Sequence, residues 1–365
     1  MARALSSSLL AGAIAWLLVG CAGGDTGGAP PSATAVAGAA LGTPTAKPIG
    51  DPSSGTSAGA VAASGANVPS VAGKGRYGVP TGAELGVGAS LAGGLPFPID
   101  DAWNRDLVRS QPDPGSASLV AAIGPNANLA PGFGTLAGVP YAVVGRTQAT
   151  VTVRLAGGAV RSWPIPADLP SSADASARLA VVDRDAGLLY ELTGATRAAD
   201  GSWDAARGAA WRLDAADAAP VDAAGAAAAD GGLPVFPGLV RFDEAASGAV
   251  RHALRVTVPA VGGAFLPPAR SVAAGAAGGA LPPLGLRLRL KGEVPIPADA
   301  SPAARAILQA LKTYGMIVVG TGPALTIEGV PDARWDTARL AADLARLRGT
   351  DFEAIAMDGL VIASN

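Results

Sequence analysis

The chain holds a single histidine, His252, flanked by Arg251 and Arg255. Imidazole titrates near neutral pH, so His252 is the first candidate for proton transfer. Asp183, Asp185, Asp243 and Glu244 are the candidate catalytic carboxylates beside it. An acid, a base and charge stabilisation are what cleavage of a polysaccharide requires. Arg251, Arg255, Arg287, Arg289 and Tyr190 form the candidate ligand-binding set, because guanidinium grips carboxylates in two-pronged fashion. Each has a plainer reading. Aliphatic residues stand two positions either side of His252, which places it toward a core. The arginine rows also fit a solvated sheet face.

Other motifs carry less. Asp183-Arg184-Asp185-Ala186-Gly187 spaces hard oxygens as a calcium loop does. Its third ligand position is Gly187 and its twelfth is Gly194, so a polar turn is expected and no metal is assigned. Gly55-Thr56-Ser57-Ala58-Gly59 matches a nucleophile elbow, and Gly73-Lys74-Gly75-Arg76-Tyr77-Gly78 a dinucleotide loop. Neither has the strand before it and helix after it that such chemistry needs. No cofactor is implied.

The elements that must position these residues are mostly strands. Ala149–Leu155 alternates with period two, as do Ala249–Val258 and Leu284–Leu290. Leu179–Val182 and Leu188–Leu192 flank the Asp183–Gly187 turn as a hairpin. Many alternating strands with proline- and glycine-rich turns predict a mainly β, two-sheet sandwich or jelly-roll-like domain. Two short helices are expected near the C-terminus. One spans about 302–314, capped by Ser301 and ended by Gly315; the other spans about 337–348, capped by Asp336. The stretch 214–232 reads as an exposed loop or frayed helix.

Composition divides the chain. Residues 21–93 are dominated by Ala, Gly, Ser, Thr and Pro, which reads as a disordered tether. Residues 94–360 carry nearly all the aromatics and read as one β-rich ectodomain. With 27 basic and 29 acidic residues, nucleic acid is not an expected partner. One histidine and one cysteine give no set of soft ligands for zinc.

That cysteine, Cys21, closes Leu18-Val19-Gly20-Cys21 behind a short apolar run with Arg3 upstream. The pattern resembles a bacterial lipoprotein signal. The resemblance implies removal of residues 1–20, acylation of Cys21 and a membrane partner through the lipid. Ala22, not aspartate, follows the cysteine, which by the same resemblance implies the outer membrane of the cell envelope.

The folded part resembles a family of secreted bacterial proteins of unassigned function. The resemblance rests on Phe97-Pro98-Ile99-Asp100-Asp101-Ala102-Trp103-Asn104, on the segment Val181 to Leu192, and on Pro237 to Glu244. It continues through Arg251 to Arg255, Gly285 to Lys291, Lys312 to Ile317 and Pro331 to Trp335. It implies no activity. The family pattern has histidines where this chain has Ala130 and Ser271, so chemistry that used them would be lost here. Three functions stay open: a binding or interaction module, with envelope glycans or an envelope protein as ligand; a polysaccharide lyase or glycoside hydrolase; and a purely structural envelope component.

Overall fold

The computed structural model describes residues 76–362 apart from 172–176, 218, 225–229, 274–275, 277–280 and 357. The signal segment, Cys21 and most of the expected tether lie outside the described residues. The fold is mainly β, with 29% strand against 15% helix, and sandwich-like.

One six-stranded sheet includes the strands Tyr141–Val144, Arg178–Asp183, Leu188–Thr193 and Arg207–Arg212. Its side chains alternate between two cores. Tyr141, Val143, Ala180 and Val182 enter the larger core. Ala142, Val144, Leu179 and Val181 enter a smaller one. Both faces are therefore covered, and this is why the sequence there is apolar almost without interruption.

The larger core is closed by a second six-stranded sheet, which includes Leu254–Val258, Arg287–Leu290 and Met316–Thr321. The smaller core is closed by a four-stranded sheet built on Val151–Leu155 and Val160–Trp163, with Trp163 and Trp203 buried. Fully burying a large apolar side chain stabilises the fold by about 1.5–3 kcal/mol.

The expected hairpin is present, with Asp183 opposite Leu188 in antiparallel register. Gly187 ends its turn at φ 67°, a left-handed conformation that favours glycine. Both expected helices form, over Pro302–Thr313 and Thr337–Leu344. Ser301 accepts a hydrogen bond from Ala304 N, and Asp336 from Arg339 N. The first helix ends where Gly315 turns at φ 68°.

Several expectations need correction. Helices are not confined to the C-terminal region: Ser116–Ile123 and Phe242–Ala246 are also helical. Neither first-turn flanking residue, Gly115 or Arg241, caps its helix through an accepting side chain, and the second helix is five residues long, too short to show a period. The stretch 214–232 contributes a strand, Asp222–Ala224, paired with Arg207–Arg212. The alternating segment 249–258 is a strand only from Leu254, and Arg255 on its expected outer face is 2% exposed. That strand runs parallel to Met316–Thr321 and antiparallel to Thr326–Ile327. Arg255 is enclosed because Glu328 and the Pro234 carbonyl lie over that face and accept from its guanidinium.

The boundary at residue 93 also moves. Ala83 and Leu91 are buried in the larger core, and Leu95 N donates to Arg76 O. Limited proteolysis of the full chain is expected to leave a fragment that retains Ala83 and Leu91. A resistant fragment beginning at Leu95 would show that these contacts are dispensable.

Candidate functional site

His252 precedes its strand by two residues and is 1% exposed. Its Nε2 lies 3.0 Å from Glu244 Oε1, and its Nδ1 lies 2.9 Å from the Ala253 carbonyl. Both partners are oxygen acceptors, so each ring nitrogen is engaged inside the fold. Glu244 sits in the first turn of the helix Phe242–Ala246. It also accepts from Arg241 N at 2.9 Å and from Arg241 Nη2 at 2.7 Å. Burial pushes the Glu244 carboxyl up, but the Arg241 charge and then His252 outweigh it and hold the carboxyl below its usual range. The Arg241 guanidinium is buried and stands 5.7 Å from the centre of the Phe236 ring. Asp243 Oδ1 stands 3.5 Å from Arg241 Nε, while its Oδ2 accepts from Ser90 Oγ and Leu91 N.

A second charged group joins the two large sheets. Glu328 accepts from Arg255 Nε at 2.6 Å, and from Arg178 Nη1 and Nη2 at 3.0 and 2.8 Å. Arg255 Nη1 donates to Pro234 O at 2.8 Å. Burial alone would raise the Glu328 carboxyl; the two guanidiniums overcome it and bring it down to about 2. Nearby, Glu191 is sealed in and accepts from Val235 N and Phe236 N. Burial pushes Glu191 up to about 7 despite those bonds and the charges of Arg255 and Arg178.

Arg178 and Glu328 line a cleft of about 400 Å³, with Gly132, Gly138 and Pro170 among its walls. Leu136, also in its lining, is 92% exposed. A second cleft, of about 350 Å³, contains Arg287.

The remaining sequence candidates are dispersed. Asp183 Oδ1 accepts from Asp185 N and Ala186 N, which makes the segment a polar turn. Asp185 Oδ2 accepts from Arg146 N. Among the described residues, no His, Cys, Asp and Glu cluster is arranged to hold a metal. Tyr190 packs on Trp163 with ring centres 5.2 Å apart. Arg289 donates twice to Glu353, and Arg251 is half-buried. His252 thus meets Glu244 alone of the four candidate carboxylates, in a closed interior.

Sequence reasoning missed Arg241, Arg178 and Glu328, and placed Glu191 only as a neighbour of Asp183 and Asp185. Arg241 stands three residues before Glu244, a spacing that pairs the two only because the short helix Phe242–Ala246 forms. Glu328 is separated from Arg178 by 150 residues and had no local signal. Comparison of the chain with protein-family models, with curated proteins and with solved structures finds no match.

Proposed function

We propose that this protein is a lipid-anchored component of the bacterial cell envelope, on the outer membrane, whose folded body is a binding module. The observation that carries the binding reading is the enclosure of His252, with both ring nitrogens committed inside the larger core. A general acid or base must reach the proton it moves. The open clefts present Arg178 with Glu328 and Arg287 with Asp358, set among main-chain polar groups and aliphatic walls. Among the described residues no aromatic side chain is exposed, so a glycan ligand would be held by hydrogen bonds and charge, without a stacking platform.

The anchor reading rests on Leu18-Val19-Gly20-Cys21. Among the described residues no helix is long and apolar enough to cross a membrane. Two measurements test the proposal. Cys21→Ser is expected to abolish labelling with palmitate and release the protein from the membrane fraction; labelled Cys21→Ser protein would overturn the anchor. Purified full-length protein is expected to retain envelope glycans or envelope protein without changing their length or ends. Cleaved products would return the lyase or hydrolase reading to first place.

A further inference from the structure

We propose that Arg287 is the anion-binding residue of a pocket for small carboxylates that carry an apolar substituent. The proposal rests on the binding-module reading and names a ligand class for one of its clefts.

Arg287 and Arg289 lie on the same face of the strand Arg287–Leu290, yet their surroundings differ. Arg289 is saturated: Nε and Nη2 donate to Glu353 Oε1 at 2.9 and 2.6 Å, and Nη1 donates to Ser110 O and Leu107 O. Arg287 has no ion pair among the described residues. Its Nη2 donates to Arg105 O at 3.2 Å, while its Nε is sealed from solvent with no hydrogen-bond partner. Burial, followed by the neighbouring Arg105 charge, presses the guanidinium down to about 10, against the weaker opposing charges of Asp101, Asp217 and Asp106. It remains cationic at neutral pH. A buried cation with an idle donor is costly, and an entering anion offsets that cost.

The cleft around it selects the anion. Its volume of about 350 Å³ lies at the small end of the range for ligand sites. Leu107, Leu266, Pro267 and Ile355 supply aliphatic walls, and Ser110 and Gln111 add polar groups. A planar fork of donors matches a carboxylate held by two oxygens. A phosphate dianion fits less well, because Asp358 shares the lining and repels a second charge.

The test is calorimetric titration of the full chain with hexanoate, with hexanamide, and with a short peptide ending in leucine, carrying either a free or an amidated C-terminus. Hexanoate or the free-ended peptide is expected to bind, and the matching amide to bind at least about tenfold more weakly. Binding of hexanoate alone assigns free acids; binding of the peptide alone assigns chain ends. Either supports the role of Arg287. Arg287→Gln is expected to lose the binding at an unchanged melting temperature, and Arg287→Lys to keep part of it. The amide comparison decides the role of charge even where Arg287→Gln fails to fold. Equal binding of acid and amide, undiminished binding by Arg287→Gln, or no binding of either carboxylate overturns the proposal. If carboxylates fail while envelope ligands are still retained, only the assignment of Arg287 falls. If both fail, the binding-module reading falls with it.

Discussion

Glu244→Ala is expected to destabilise the protein by about 3–5 kcal/mol, the usual consequence of removing one partner from a buried ion pair. Among the described residues, Glu244 is the group that accepts from Arg241 Nη2 and also meets His252 Nε2. Without it, two buried donors and a buried guanidinium lose their acceptor. Asp243, 3.5 Å from Arg241 Nε, compensates only in part because its other oxygen is held by Ser90 and Leu91. His252→Ala removes a smaller share and is expected to cost about 1–3 kcal/mol, through a cavity and one orphaned acceptor. Urea unfolding of both variants checks the order. A Glu244→Ala midpoint equal to that of the wild type would mean that the network contributes nothing to the fold.

Stability is expected to peak near pH 4 to 5 and to fall by several kcal/mol toward pH 8. Glu191 and Asp101 set the upper slope. Burial raises Glu191 from 4.5 to about 7 and Asp101 from 3.8 to about 6. In each case the folded chain keeps a proton that the unfolded chain has released. The stabilisation is therefore complete below the unfolded value and is lost as pH rises through the folded one. At about 1.4 kcal/mol per unit, each group accounts for roughly 3 kcal/mol. Glu328 acts in the opposite sense. Its folded value of about 2 gives stability that is complete above 4.5 and lost as pH falls toward 2. Unfolding free energies of wild type and Glu191→Gln at several pH values check this. The variant is expected to show a shallower decline between pH 4.5 and 7, and an identical slope would contradict the role of Glu191.

The parts of the fold that were legible in sequence are those set by local signals. The Asp183–Gly187 turn, the caps at Ser301 and Asp336, and the alternation of Leu288 and Leu290 each depend on a few neighbouring residues. What escaped depends on distant partners. The strand Leu254–Val258 alternates like a surface strand, but Leu254, Arg255 and Val256 are all buried, so both of its faces are covered. Arg255 therefore faces Glu328, 73 residues away, where solvent was expected. The inward direction of His252 was legible from Val250 and Leu254. Its partner Glu244 was named as a candidate, but as a catalytic carboxylate and not as the acceptor that fixes the ring. Asp101 forms a reciprocal clasp with Asp217, each carboxylate accepting a main-chain N–H beside the other. No spacing rule connects residues so far apart.

The central claim is that His252 holds the fold together while the clefts bind ligand. The most direct measurement compares full-length wild type and His252→Gln in parallel, by thermal melting and by retention of envelope ligands with analysis of the recovered ligand. A lowered melting temperature, with retention per folded molecule unchanged and the ligand recovered intact, is the predicted result. Wild-type melting accompanied by loss of a measured turnover would contradict it, because the imidazole would then be needed for chemistry and not for structure.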